Sequence, residues 1–87
     1  MKVWITKYAL TRGIIEIDGS DFQRTYVNPN GMICFYDEFG DVVCSYKRSE
    51  HFGLKELAIQ KAEEMRQKKI ESLKKQIKKL EGMRFTL

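Results

Sequence analysis

The chain contains 87 residues, of which 43% are hydrophobic and 32% charged, and it carries a formal net charge of +4. This length is typical of one domain with a modest core, close to the size at which oligomerisation often supplies missing burial. No apolar run is long enough to span a membrane, and the first residues lack a secretory signal pattern, so we expect a cytoplasmic protein with no membrane contact.

Five segments predict short antiparallel strands, because each is rich in β-branched and aromatic residues and is bounded by turn residues. They cover residues 2–9, 14–18, 22–27, 32–36 and 42–47. The first two flank a turn that ends at Gly13, where glycine permits positive φ, and they therefore form a hairpin. The predicted fold class is α+β, in which a curved meander sheet or partial barrel within residues 1–53 precedes one long helix.

The last predicted hairpin is specific enough to assign its register. Residues 37–41 suit a three-residue loop with a glycine bulge, which pairs Asp37 with Asp41. Cys34 then lies directly opposite Cys44, and we expect both to be core residues rather than metal ligands, with their redox state left open. Both faces of this hairpin are apolar, so the second face needs cover, either from curling of the sheet or from another subunit.

Residues 54–82 predict one long helix, which a short tail at 83–87 follows. Up to Glu81 the segment has neither proline nor glycine, and its strong helix formers agree with its apolar periodicity. Such a helix measures about 42 Å, whereas strands of about six residues span only about 20 Å. The sheet can therefore cover at most about half of the helix.

The first half of this helix has an apolar stripe that is suited to packing on a sheet. It contains Leu54, Ala58, Ala62 and Met65, with Leu57 to one side. The two alanines in the middle of the stripe allow a close approach to a strand. We therefore expect the first half of the helix to pack on the chain's own sheet.

The second half carries a different stripe, Ile70, Leu73, Ile77 and Leu80, spaced as in the a/d pattern of a coiled coil. This stripe is rotated away from the first and predicts the contact of a homodimer, for which we assign no geometry. The alternative is that the helix tilts across a curved sheet and that all these residues belong to one core, since two heptads are a short repeat.

The positive charge is concentrated in the helix. Residues 1–53 carry six basic and seven acidic residues, whereas residues 54–82 carry nine basic and five acidic ones. Between Arg66 and Lys79 only Glu71 opposes seven basic residues, which are Arg66, Lys68, Lys69, Lys74, Lys75, Lys78 and Lys79. They predict a surface for a protein partner or for nucleic acid phosphates; alternatively, they form a solvated face that keeps a coiled coil soluble.

Two motifs resemble those of small proteins carried by bacteriophages and prophages. These proteins share K-Y-A-L-T-x-G-I near the start, which matches residues 7–14 here. They also share A-E-E-M-R-x-K-K-I-x-S-L-K-K-Q-I-x-K-L-E near the end, which matches residues 62–81. The middle of the chain, residues 19–53, has no counterpart. The resemblance implies a phage-type gene product in a bacterial host, and it brings no catalytic residue.

The residues do not indicate an enzyme, a metal site or a cofactor. His51 is the only histidine, the acidic residues of the first half lie in or near turns, and the six glycines are scattered rather than grouped in a phosphate-binding loop. We therefore expect a non-enzymatic protein-binding module. One such role is an inhibitor of a host defence complex, in the manner of anti-CRISPR proteins, that acts by occlusion. The alternative function is nucleic-acid binding through the basic helix.

Overall fold

The computed structural model describes residues 1–85 and has six short strands and two α-helices in that range. The strands are β1 (Lys2–Ile5), β2 (Ile15–Asp18), β3 (Arg24–Val27), β4 (Ile33–Tyr36), β5 (Val42–Tyr46) and β6 (His51–Phe52). The helices are α1 (Ala9–Arg12) and α2 (Lys55–Glu81). Within the described range, no helix is long and apolar enough to cross a membrane.

The strands form two antiparallel sheets of three, with the orders β2-β1-β6 and β3-β4-β5. The predicted α+β class, with short antiparallel strands and one long helix, is confirmed. The single meander sheet is wrong, because the strands form two sheets and a 3-10 turn at Gly19–Asp21 separates β2 from β3. The Asp18 carboxylate fixes this turn by accepting a hydrogen bond from the Ser20 amide at 3.0 Å.

The first hairpin is confirmed, since β1 pairs with β2 and places Val3 opposite Ile17. The predicted first strand is too long, however, because β1 ends at Ile5. One helical turn, α1, follows in place of the predicted strand end and turn. It stops at Gly13, which has a φ of 79°.

Strand β6 lies between the last predicted strand and the predicted helix, where no strand is predicted. It pairs with β1 and places Phe52 opposite Trp4. Just before it, the Glu50 carbonyl accepts a hydrogen bond from the amide of the buried Thr6 at 2.9 Å. The chain thus returns to its first strand immediately before α2 begins, and α2 packs mainly on α1, β1 and β6.

The core lies where the two sheets meet. Val3 and Ile5 of β1 and Ile33 and Phe35 of β4 are at most 3% exposed. The ring of Phe22, which precedes β3, lies 4.9 Å from that of Phe35 between centroids. Burying one such side chain contributes about 1.5–3 kcal/mol, so these few residues hold the sheets together.

The loop between β4 and β5 has the predicted form. The Asp37 amide donates to the Asp41 carbonyl at 2.9 Å, and Gly40 has a φ of 82°. Beyond the loop the predicted register is wrong, because a bulge leaves Val43 without a partner and pairs Phe35 with Cys44.

The predicted pairing of Cys34 with Cys44 is therefore wrong as well. Cys34 lies opposite Ser45, and since side chains alternate along a strand, the two cysteines point to opposite faces of the sheet. The bulge places Cys44 and Tyr46 against the core, where the predicted register would place Val43 and Ser45, and the gain comes from the large Tyr46 ring in place of the Ser45 hydroxymethyl group. Greater apolar burial explains why the slipped register is preferred.

Helix α2 makes the molecule elongated. Its 27 residues extend over about 40 Å, and the whole molecule measures 64 × 30 × 24 Å. The radius of gyration is 18.4 Å, whereas a compact chain of this length would have about 12 Å. Much of α2 therefore extends beyond the two sheets.

Candidate functional site

The part of α2 that leaves the body, residues 66–81, is the first candidate for a functional surface, and we call it the protruding half. Before it, Ala58 is fully buried, and Ala62 and Met65 are half-buried against the body. After Met65, every described residue is exposed except Ile70, which is half-buried. The predicted packed half matches the placement of Ala58, Ala62 and Met65, but Leu54 and Leu57, which the sequence predicts beside them, are 59% and 45% exposed. The single-core alternative is wrong, because the apolar stripe at the far end of the helix is largely exposed.

Local interactions keep the protruding half helical without support from a sheet. Its sequence is rich in Lys, Gln, Leu and Glu, which have high helix propensity. Lys78 and Lys79 lie in the last turn, where their positive charges interact favourably with the negative end of the helix dipole. The amide of Gly82 donates to the Lys78 carbonyl at 3.1 Å and ends the helix.

The predicted dimer residues form an exposed stripe along the protruding half, and we call Ile70, Leu73, Ile77 and Leu80 the seam. The exposed fraction of its last three side chains increases towards the tip, from 43% at Leu73 to 54% at Ile77 and 64% at Leu80. Each half-exposed aliphatic side chain forgoes about 1 kcal/mol that complete burial would supply. The seam is therefore an unsatisfied apolar surface of the single chain.

An ion pair ends the seam on its body side. The Arg66 guanidinium donates to the Glu63 carboxylate, with Nη2 and Nε at 2.8 and 3.1 Å from the same oxygen. Both residues occupy positions that would continue the seam towards the body. Of the seven predicted basic residues, Arg66 is the one whose charge is already compensated within the described residues.

The predicted basic residues are all exposed, but the structure does not gather them on one face. On a regular helix, Lys68, Lys75 and Lys79 lie within about 40° of one another and roughly 160° from the seam. Lys74 and Lys78 lie between these two directions, and Lys69 flanks the seam. The first three therefore form a basic face that stays accessible whatever covers the seam.

A groove that the sequence does not predict lies beside the root of α2, and we call it the root groove. Its lining includes two large apolar residues, Met32 and Phe52, and three basic residues, Lys47, Arg48 and Lys61. Within the described chain none of these three cations forms an ion pair. Apolar side chains beside several unpaired cations favour the binding of an anion that carries an apolar group, because the attraction between charges is stronger where water is partly excluded.

Two contacts fix one wall of the root groove. Gly31, with a φ of 84°, lies under the stem of Arg48 so closely that a Cβ at this position would be 2.8 Å from Arg48 Cδ. His51 Nε2 donates to the Gly31 carbonyl at 2.9 Å, which connects β6 to the turn before β4. His51 is thus a half-buried strand residue that ties two segments together.

The root groove and the basic face are continuous. Lys61 is seven residues before Lys68, and therefore lies on the same side of α2 as Lys68, Lys75 and Lys79. We call Lys61, Lys68, Lys75 and Lys79 the cationic line; it extends about 27 Å from the groove towards the tip. The summed charge of residues 1–53 conceals the cations of the root groove, because acidic residues elsewhere on the body offset Lys47 and Arg48 in the sum.

The cysteine and tyrosine beside the core are not activated groups. Burial raises the pKa of the Cys44 thiol and that of the Tyr46 phenol above their ordinary values. Both are therefore protonated at neutral pH, and Cys44 does not present a thiolate nucleophile.

No protein-family model matches the chain, and comparisons with curated proteins and with solved structures also found no match. Its function is therefore inferred from its own surfaces. The exposed seam, the cationic line and the root groove are the features that distinguish it from an inert small domain.

Proposed function

We propose that this protein is a non-enzymatic, phage-type binding module whose cationic line recognises an acidic surface of a host protein complex in the bacterial cytoplasm. The observation that supports the proposal is a row of lysines, unpaired within the described chain, on a helix that projects beyond the body. Its resemblance to proteins of bacteriophages adds the expectation that the partner belongs to the host.

Occlusion is the mechanism that this shape supports. A single helix with its side chains is about 10–12 Å wide, which suits insertion into a groove of a partner. The cationic line then aligns the helix with acidic side chains and increases the rate of association. The root groove receives an acidic side chain of the partner, with its apolar stem beside Met32 and Phe52 and its carboxylate beside the cations. A helix held in this way blocks the partner's groove without any chemical step.

Nucleic-acid binding is the second candidate, because seven basic residues in fourteen positions could neutralise phosphates. The helix contains no aromatic side chain on which a base could stack, and lysine rather than arginine dominates. These features support only contact that is independent of base sequence. We therefore favour a protein partner.

The experiment compares two variants with the same change in net charge. The line variant combines Lys68→Glu, Lys75→Glu and Lys79→Glu, and the control variant combines Lys7→Glu, Arg12→Glu and Lys55→Glu on exposed positions of the body. Tagged proteins are incubated with nuclease-treated host lysate, and captured proteins are identified by mass spectrometry and then titrated as purified components.

The proposal predicts that one host complex binds stoichiometrically to the unaltered protein and to the control variant, and that the line variant loses this binding. Equal capture by both variants would contradict the proposal. If nuclease treatment removes all captured protein, and binding to short duplex DNA weakens steeply with added salt, the nucleic-acid candidate replaces it.

A further inference from the structure

We infer that the seam pairs with the seam of a second copy of this chain, in an antiparallel arrangement that places Leu73 beside Ile77 of the partner. This interaction is independent of the proposed host-binding function, because the seam and the cationic line lie on opposite sides of α2. The occupant of the seam must be aliphatic and uncharged along about two turns of helix, and the seam of another copy has these properties.

The register follows from the positions of the charged residues. When Leu73 faces Ile77 of the partner, Ile70 faces Leu80, and every seam residue contacts another aliphatic side chain. In this register the ion-paired Glu63 and Arg66 lie outside the row of aliphatic contacts. If the second copy were shifted by one heptad towards the body of the first, Arg66 of the first copy would face Ile77 of the second. The Arg66 charge would then be buried without a counter-charge from the second copy.

Charge also favours the antiparallel arrangement over the parallel one. In a parallel pair, Lys69 of each helix would face Lys74 of the other, and both basic tips would lie together. In the antiparallel pair, Lys74 faces only Lys74 of the partner, and Gln67 faces Glu81 of the partner. Lys79 in the tip of each helix then lies alongside Glu71 of the partner instead of beside the other basic tip.

The dimensions allow this pairing. The helices overlap over residues 69–81, about 20 Å, and the two roots remain about 30 Å apart along the axis, so the bodies do not collide. Met83 and Phe85, which are 49% and 91% exposed, are brought towards the root of the partner's helix. The overlap buries less than a standard interface of about 1,600 Å², so we expect a reversible dimer with micromolar affinity.

The experiment uses the full chain and first determines its oligomeric state. Sedimentation equilibrium from micromolar to millimolar concentration should show a monomer–dimer equilibrium for the unaltered protein. Leu73→Asp with Ile77→Asp should raise the dissociation constant at least about 100-fold, because the dimer would bury unpaired charges. The fold should persist, since Leu73 and Ile77 are 43% and 54% exposed and lie outside the core, and circular dichroism checks this.

Cysteine exchange then tests the register. Ile70→Cys and Leu80→Cys proteins are mixed and oxidised, and the unaltered protein serves as the control for Cys34 and Cys44. The antiparallel register predicts a disulfide between the two variants and none within either pure variant. Disulfides within each pure variant would establish a parallel dimer, and a strictly monomeric unaltered protein at millimolar concentration would also overturn the inference.

The two proposals fail separately. The charge-neutralising variant Lys68→Ala with Lys75→Ala should still dimerise while it binds the host partner more weakly. The seam variant should be monomeric while it still captures that partner. Loss of capture in the seam variant with unchanged dimerisation would contradict the assignment of the seam to a second copy.

Discussion

Replacing Gly31 by alanine tests whether the root groove depends on the close contact between the turn before β4 and Arg48. Gly31 has a φ of 84°, and a Cβ there would lie 2.8–2.9 Å from Cβ, Cγ and Cδ of Arg48. The positive φ costs a non-glycine residue about 1–2 kcal/mol. Displacing the Arg48 stem adds a steric cost of about 1–3 kcal/mol, because its Cβ cannot move independently of the backbone.

Gly40 is a matched control for this substitution. Its φ is 82°, but no atom lies within 4 Å of the position that a Cβ would occupy. Gly40→Ala should therefore lower the free energy of unfolding by about 1–2 kcal/mol, through the backbone alone. Gly31→Ala should lower it by a further 1 kcal/mol or more, on the order of the overpacking cost of a close contact.

Urea denaturation monitored by tryptophan fluorescence measures both changes from the transition midpoints at constant m-value. Because the groove wall moves, Gly31→Ala should also weaken binding of the captured host partner, whereas Gly40→Ala should not. Equal destabilisation by the two substitutions, together with equal partner binding, would refute the idea that Gly31 is required to seat Arg48 in the groove wall.

Two further predictions concern the core and the thiol beside it. Phe35→Ala should lower the free energy of unfolding by about 3–5 kcal/mol, because Phe35 is fully buried. Leu80→Ala should change the free energy of unfolding of the monomer by less than about 0.5 kcal/mol, because Leu80 is 64% exposed. Urea denaturation at low protein concentration measures both changes, and a similar loss for each would contradict the division of α2. Iodoacetamide should modify Cys44 more slowly than a free thiol at pH 8, because burial disfavours the thiolate, and the rate should increase as the pH approaches the raised pKa. Peptide mass spectrometry measures the rate, and modification faster than that of a free thiol at neutral pH would contradict the burial of Cys44.

The features that sequence analysis predicted correctly depend on local or periodic signals. The loop at residues 37–41 follows from the conformational preferences of Asp37 and Gly40, which act within a few residues. Helix α2 begins at Lys55 and ends at Glu81, within one residue of the predicted bounds, because composition and periodicity agree over its whole length.

The features that could not be predicted from the sequence depend on contacts between distant segments. The bulge at Val43 forms because Cys44 and Tyr46 bury more apolar area against the other sheet, and no turn rule contains that information. Strand β6 has only two residues and is defined by its pairing with β1, so it has no period to detect. The root groove combines three segments, and its cations become neighbours only in the folded chain.

Hydrogen exchange along α2, followed by mass spectrometry, tests the central claim that the cationic side of the protruding half is the surface that binds a host protein. In the free protein, amides at residues 66–81 should exchange faster than those near the buried Ala58, because the body supports only the first half of the helix. Addition of the purified host partner should slow exchange at residues 66–81 in the unaltered protein and in the control variant, and it should leave exchange in the line variant unchanged. Protection confined to the strands, or equal protection of the line variant, would contradict the claim.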